Sequence, residues 1–258
     1  MFKKKKVIKV KKEKIISERI RSIPKRISSG IMGFDILVDG GFEKNSVNLV
    51  VGSSGGGKTI FAMQFLMEGI KEGENVLYIT FEEKKDEFYS NMLQFGWNLE
   101  AAEKSGKFVF LEYNPEKVRA MLEEGGGAIE SIVIKNKIKR IVIDSVTSFA
   151  LLFNDELAKR EAALSLFDII RKWECTSILT LQEEPKTKGG SSSNSLEFES
   201  DSIILIYFLR YKGKRERFIE VLKMRGTKHS RKIYPISVDK KGIVVSSVPC
   251  PAKLEGID

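Results

Sequence analysis

Apolar positions between residues 46 and 183 alternate between short β-branched runs and longer amphipathic stretches. The short runs are typical of buried strands, and the longer ones repeat every three to four residues, as helices do. Strands that alternate with helices indicate a parallel sheet covered on both faces. The predicted strands are 46–52, 75–83, 107–113, 139–146 and 176–183, and the predicted helices are 58–70, 85–99, 115–124 with a continuation to about 137, and 155–174.

The pattern changes after residue 200, where apolar segments are joined by short turns such as YKGK and DKKG. Strands are predicted at 200–210, 216–226, 232–239 and 242–247, as an antiparallel meander that extends the sheet. The stretch 184–195 between the two regions has no apolar residue and many Gly and Ser, which predicts a loop. The expected fold class is therefore α/β, a largely parallel twisted sheet flanked by helices with an antiparallel C-terminal extension.

The segment GSSGGGKT (52–59) has the P-loop spacing G-x-x-x-x-G-K-[ST], with an apolar strand before it and a helix after it. Gly52 and Gly57 are expected to let the backbone turn N–H groups toward phosphate oxygens, beside the positive end of the helix. Lys58 is expected to reach the β- and γ-phosphates, and the Thr59 hydroxyl to ligate Mg2+. The predicted ligands are ATP or ADP and Mg2+, and the residues predicted to bind the nucleotide are Gly52, Ser53, Ser54, Gly55, Gly56, Gly57, Lys58, Thr59 and Ile60.

Acidic residues end two of the predicted strands. Asp144 stands where the tip of a parallel strand would meet the phosphates, and is predicted to hold Mg2+ through water; the alternative is an Asp that begins a turn or caps a helix. Glu82 and Glu83 follow the strand after the P-loop helix, at the end of the sheet where ligands bind. One of them could act as general base while the other positions it. The alternative is a pair of acids in the first turn of a helix.

The segment LKMRGTKHS (222–230) contains the single histidine of the chain. On a strand, Lys223, Arg225, Thr227 and His229 would share one face. Such a row predicts an anion opposite it, and the alternative is a solvated polar edge.

Positive charge is concentrated at the beginning of the chain. The whole chain carries +9, and residues 1–26 contain twelve Lys/Arg and two Asp/Glu, so the remainder sums to −1. The expected organisation is a basic arm at 1–25, one ATPase domain at 26–248 and a tail at 249–258. The arm is either a solvated extension or a contact for nucleic acid, anionic lipid or a protein partner.

Hydropathy and cysteine content indicate a cytoplasmic protein. No apolar run approaches 18 residues, so no membrane span is expected, and no apolar segment of signal-peptide type follows the basic beginning. Cys175 and Cys250 are far apart and have no partners of metal-binding spacing, which suits a reducing compartment.

Several stretches resemble, in order, the KaiC-like branch of the RecA-fold ATPases, as a single-domain, archaeal-type member. The resemblance covers about 27–247 and rests on GSSGGGKTIFAMQFL, TFEE, FGWNL, IVIDSVTSF and LKMRGTKH. It implies rings, typically hexamers, with ATP at subunit interfaces. It also implies that Glu82 is the catalytic base with Glu83 beside it, and that Arg225 acts as an arginine finger on the adjacent subunit's nucleotide. The other residues implied to reach that nucleotide are Lys223, Thr227 and His229.

The chain departs from the clock protein of this family at one site. Glu197 and Phe198 stand where that protein's second domain has a phosphorylated Ser-Thr pair, so autophosphorylation is not expected. Two alternatives to a ring ATPase remain open. One is a nucleic-acid-binding protein related to RecA and RadA, with the loop 184–195 in a central channel. The other is a slow, ATP-gated scaffold with little turnover.

Overall fold

The computed structural model describes residues 25–113, 117, 120, 124–125, 127–147, 153, 155–183 and 195–250, without the side chains of 156, 195 and 198. Most of the basic arm, most of the tail, most of the loop 184–195 and most of the helix predicted at 115–124 lie outside these residues. The division into arm, domain and tail therefore stays a prediction.

A nine-stranded sheet forms the centre of the described part of the chain. Its order is β11-β10-β9-β8-β3-β7-β6-β4-β5, and the strands from β8 to β5 run parallel. The strands β9, β10 and β11 continue it in antiparallel fashion, which confirms the predicted fold class. The strands are β1 (Arg26–Ile27), β2 (Phe42–Glu43), β3 (Val47–Gly52), β4 (Asn75–Thr80), β5 (Phe108–Glu112), β6 (Ile138–Asp144), β7 (Thr176–Gln182), β8 (Ser202–Tyr211), β9 (Lys214–Met224), β10 (Tyr234–Asp239) and β11 (Gly242–Val245).

The helices cover both faces of this sheet. Alternate strand residues face opposite layers: Val50 and Val142 belong to one buried cluster, whereas Leu49 and Ile141 belong to the other. The described helices include none that is long and apolar enough to cross a membrane. They are α1 (Phe34–Leu37), α2 (Lys58–Lys71), α3 (Lys85–Leu93), α4 (Leu99–Lys104), α5 (Gly127–Lys135), α6 (Glu156–Lys172) and α7 (Ser195–Glu199).

The prediction of a single helix at 85–99 is wrong, because the structure has two helices there. Helix α3 ends at Leu93, whose carbonyl accepts from the Gly96 N–H in a tight turn. Asn98 then caps a separate helix, because its side chain accepts from the Ala101 N–H at 3.0 Å. The segment FGWNL is therefore a connection between two helices.

Two edges of the sheet matter for function. The carboxyl edge is where the parallel strands end, at residues that include Gly52, Thr80 and Asp144. The amino edge is where the same strands begin. Because β9 is antiparallel, it ends at the amino edge, where Met224 pairs with Ser202.

The strand predicted at 216–226 stops earlier than expected, at Met224. The Thr227 N–H donates to the Met224 carbonyl, so the chain turns there instead of continuing extended. The prediction that one strand face carries the row from Lys223 to His229 is therefore wrong beyond Met224.

Candidate nucleotide-binding site

The P-loop connects β3 to α2 at the carboxyl edge. Gly55 and Gly57 have φ angles of 74° and 109°, a region that disfavours side chains with a Cβ. Gly57 is the residue before α2, so the loop ends at the positive end of a fourteen-residue helix. Glycine is needed at position 52 for a different reason from the one expected. A Cβ there would lie 2.4 Å from the Ile206 carbonyl oxygen of the neighbouring β8. Gly52 therefore allows two strands to approach.

Lys58 begins α2 and turns its side chain back into the loop. Its Nζ donates to the carbonyl oxygens of Gly52 at 2.9 Å and Ser53 at 3.0 Å. Burial lowers the pKa of this amino group, and the carboxylates of Asp144 and Glu82 act in the opposite direction. The cation is thus held inside the loop beside two carboxylates.

Asp144 ends β6 and is fixed by hydroxyl groups from neighbouring elements. Its Oδ2 accepts from Thr59 Oγ1 at 2.7 Å and from the Tyr78 hydroxyl at 2.8 Å. Its Oδ1 accepts from Thr180 Oγ1. The pKa of the buried Tyr78 is raised well above its ordinary value of 10.0, by burial first and then by the Asp144 charge. Tyr78 is therefore a neutral donor that orients the carboxylate.

Glu82 and Glu83 lie directly after β4, next to Asp144. The buried Thr80 shapes this bend, because its Oγ1 accepts from the N–H groups of both glutamates at 3.2 and 3.1 Å. Ser145 Oγ donates to Glu82 Oε1 at 3.4 Å. Burial raises the pKa of Glu83, and the charges of Asp144 and Glu82 raise it further. Two carboxyl groups with different environments thus face the same open space.

That space is a cavity of about 430 Å³. Nine of its lining residues were predicted from the sequence to belong to the site. They come from the P-loop and from the acidic strand ends, and they are Ser54, Gly55, Gly57, Lys58, Thr59, Ile60, Glu82, Glu83 and Asp144. The residues that the sequence did not predict are Thr80, Ser145, Gln182 and Arg217.

Arg217 is the cationic residue among these additions. Its Nε and Nη2 donate to the Gly55 carbonyl at 3.1 and 3.0 Å, and its guanidinium lies 4.5 Å from the ring centre of Phe208. Arg217 pairs with Phe208, and β8 pairs with the P-loop strand. Only this strand register brings Arg217 to the loop, and nothing in the local sequence signals it. Tyr78 and Thr180 were missed for the same reason.

The predicted cationic row lies at the opposite edge. Lys223 Nζ donates to the carbonyl oxygens of Glu197 at 3.0 Å and Ser200 at 2.7 Å. Arg225 Nη1 is 3.4 Å from Asp201 Oδ1. The Thr227 hydroxyl accepts from Arg26, and His229 Nδ1 is 2.9 Å from the Ser230 carbonyl oxygen. None of the four predicted residues lines the cavity of their own chain.

Strand pairing gives the scale of this separation. Met224 pairs with Ser202, which pairs with Asn48 near the start of β3. The P-loop begins four residues further along the strand, at Gly52, which corresponds to roughly 13 Å at about 3.3 Å per residue. The row and the P-loop of one chain therefore lie at opposite edges of the sheet.

The donors at the carboxyl edge suit a hard cation. A Thr hydroxyl and an Asp carboxylate are oxygen ligands of the kind that Mg2+ prefers, usually together with substrate phosphates. In the described part of the chain, no group of three or more His, Cys, Asp or Glu side chains could hold a metal ion.

A family model described as "ATPase: KaiC" matches residues 27–249. The chain belongs to the KaiC family. The resemblance read from the motifs is thereby confirmed, and this KaiC-family chain is an ATP-binding protein of the RecA superfamily.

Relatives and a solved structure agree with this assignment. The "Circadian clock protein KaiC3" of Synechocystis is 36% identical over 85% of the chain, which spans only 45% of that protein. A "UPF0273 protein" of Thermotoga maritima is 33% identical over 86% of the chain and 96% of its own length. The crystal structure of a KaiC-like protein from Pyrococcus horikoshii has a TM-score of 0.77 and 35% identity, covering 87% of this chain and all of that one. The chain thus spans about half the length of its circadian-clock relatives but nearly the whole of single-domain ones.

Proposed function

We propose that this protein is a Mg2+-dependent ATPase that works as a ring, with each active site shared between neighbouring copies. The observation that carries the proposal is the placement of the two predicted half-sites at opposite edges of one sheet. A head-to-tail ring would bring the P-loop of one copy against the end of β9 in the next.

The half-site at the carboxyl edge binds the triphosphate and the metal. The loop amides, the α2 end and Lys58 would hold the phosphates. Thr59 and Asp144 would hold Mg2+, which neutralises the charge that develops during phosphoryl transfer. Tyr78 and Thr180 keep the Asp144 carboxylate in place through hydrogen bonds.

Glu82 is the proposed general base. A general base must be ionised and within reach of the attacking water. Glu82 lines the cavity and accepts a hydrogen bond from Ser145. Glu83 is less accessible to water, because it is half-buried whereas Glu82 is exposed, and its place beside Glu82 suits a positioning part.

The half-site at the amino edge supplies cations to the neighbour's nucleotide. Arg225 is the proposed arginine finger, since its side chain is about half exposed and separate from its own P-loop. Lys223, Thr227 and His229 would accompany it. Such a finger contributes about 10³- to 10⁵-fold in rate where it is best understood.

Complementation between two inactive variants tests the shared site. Arg225→Ala should lack the finger and Glu82→Gln should lack the base, so each alone should lose at least about 100-fold of phosphate release. Mixed in equal amounts, they should regain activity, because about one quarter of the interfaces then pair an intact base with an intact finger.

The matched control mixes Glu82→Gln with Lys58→Ala, whose defects both belong to the carboxyl-edge half-site. This mixture should stay inactive. Light scattering with Mg-ATP must show co-assembly in both mixtures. If the first mixture co-assembles without regaining activity, or if the control regains it equally, the sites are not shared. A native protein that assembles and binds ATP without turnover would instead support the scaffold.

A further inference from the structure

A second concavity, of about 630 Å³, opens at the amino edge of the sheet. It shares no lining residue with the nucleotide cavity. We call its cationic lining residues the basic edge, and they are Lys25, Arg26, Lys44, Lys107, Lys137 and Lys139.

Sheet topology brings these cations together from distant parts of the sequence. Lys44 precedes β3, Lys137 and Lys139 flank the start of β6, and Lys107 precedes β5. These strands stand in the order β3-β7-β6-β4-β5. At about 4.8 Å between neighbours, the basic edge extends over roughly 19 Å.

The acidic side chains of the concavity are already engaged. Glu72 accepts from Arg140 Nη2, and Glu74 accepts from Arg140 Nε at 2.6 Å. Arg140 itself is fully buried, so these carboxylates serve an internal cation. Glu174, two residues before the lining residue Thr176, is a further acid at this edge.

Four of the six cations, in contrast, are exposed, whereas Arg26 is half-buried and donates to the Gly41 carbonyl and the Thr227 hydroxyl. Lys25, Lys44, Lys137 and Lys139 are exposed, and within the described residues their amino groups form no ion pair. Lys107 is half-buried and donates to the Gly73 carbonyl at 2.6 Å. A row of solvated lysines that lacks internal partners creates a local positive potential.

We infer that the basic edge binds the phosphate backbone of duplex nucleic acid. A duplex presents one negative charge about every 1.7 Å along its axis, so a row of cations roughly 19 Å long can meet several phosphates at once. Contacts of this kind position a protein on nucleic acid without reading its sequence.

The lining argues against other anionic partners. It contains no aromatic side chain on which the bases of a single strand could stack. Its one large apolar residue, Ile27, is buried, so nothing there could insert into a lipid surface or anchor a peptide. A duplex needs neither kind of contact.

The preceding sequence adds to the same charge. Residues 1–24 contain ten Lys/Arg and two Asp/Glu, and they lead directly into Lys25 of the lining. The sequence before Lys25 and the basic edge thus carry charge of the same sign. The inference does not depend on ATP hydrolysis or on a shared active site.

Fluorescence anisotropy with a labelled duplex DNA of random sequence, titrated at several salt concentrations, tests this inference. The test variant is the full chain with Lys44→Gln, Lys137→Gln and Lys139→Gln. Each lost phosphate contact should reduce the slope of log affinity against log salt by about 0.9, so the slope should fall by about 2 to 3. Affinity at about 0.1 M salt should fall at least about ten-fold.

The matched control replaces Lys212, Lys240 and Lys241 with Gln. These lysines are exposed in turns at the carboxyl-edge end of the antiparallel strands, and their loss changes the net charge equally. This variant should keep the native slope and affinity. Light scattering and circular dichroism must show that both variants keep the native assembly and fold.

Several results would overturn the inference. One is a native chain that does not bind the duplex, and another is a test variant with the native affinity and slope, which would assign binding to the arm alone. A preference for single strands or for anionic vesicles over the duplex would point to a different partner. A change of assembly in the test variant alone would make the basic edge a contact between copies.

Discussion

The two edges of the sheet both carry charged side chains, but they differ in how deeply these side chains are buried. At the carboxyl edge, Lys58 is buried and Asp144 is half-buried, and Asp144 is held by hydrogen bonds from Thr59, Tyr78 and Thr180. At the amino edge, Lys44, Lys137 and Lys139 are exposed.

This difference predicts how each edge responds to substitution. Groups that share one network depend on each other, so one change should disturb the whole site. Solvated lysines act through summed charge, so each loss should be small and additive. The carboxyl edge therefore suits a reaction that needs fixed geometry, and the amino edge suits binding that tolerates variation.

The largest expected effect on stability comes from Gly52→Ala. The added Cβ would lie 2.4 Å from the Ile206 carbonyl oxygen, so β3 and β8 must separate. The free energy of unfolding should fall by about 1 to 3 kcal/mol, with weaker ATP binding because the P-loop follows. Urea denaturation and nucleotide titration measure both effects.

Gly127→Ala is the control for this change, since no heavy atom lies within 4 Å of the added Cβ. Its stability should stay the same or rise by up to about 1 kcal/mol. At the amino edge, Lys139→Gln should change stability by less than about 0.5 kcal/mol. Equal losses of unfolding free energy in Gly52→Ala and Lys139→Gln would contradict the proposed difference between the two edges.

A smaller effect is expected from Tyr78→Phe, which removes one donor to Asp144. The lost hydrogen bond should cost about 1 kcal/mol of stability, because Asp144 keeps its hydrogen bonds from Thr59 and Thr180. Turnover should fall by about ten-fold because the carboxylate is less well oriented. A phosphate-release assay measures the turnover, and thermal unfolding measures the stability.

Tyr207→Phe separates orientation from stability. The buried Tyr207 hydroxyl donates to Glu220 at 2.7 Å, away from the cavity. This variant should lose a similar amount of stability and keep native turnover. Equal turnover in the two variants would show that the Tyr78 hydroxyl does not position Asp144.

The smallest effect concerns the pH dependence of stability at Glu83. Burial and neighbouring carboxylates raise its pKa above the ordinary 4.5, so the folded state holds this proton more tightly than the unfolded state does. The resulting stabilisation is full below about pH 4.5 and is lost as the pH rises through the raised pKa.

Glu83→Gln should remove this dependence. The stability of the variant relative to the native protein should increase as the pH rises above 4.5, measured by urea unfolding at a series of pH values. Glu87→Gln, at an exposed neighbouring position, is the control and should follow the native curve more closely. A constant difference at every pH for Glu83→Gln would contradict the assigned environment.

Sequence patterns predicted most of the fold because the relevant signals are local. Apolar runs gave the strands from β3 to β11, and the P-loop spacing identified the phosphate-binding turn. The helix predicted at 85–99 failed because a tight turn and the Asn98 cap outweigh its helical periodicity. The prediction that the strand continues beyond Met224 failed because the alternation of residue types does not show where a chain turns.

The sequence by itself determined the P-loop, its lysine, the acidic strand ends and the family, because these depend on residue types at short fixed spacings. The tertiary structure alone decided which groups meet. Sheet register brought Tyr78 and Thr180 to Asp144 and Arg217 to the P-loop, and it assembled the basic edge from residues far apart in the chain. Pairing between distant strands sets these contacts, and local propensity carries no record of such pairing.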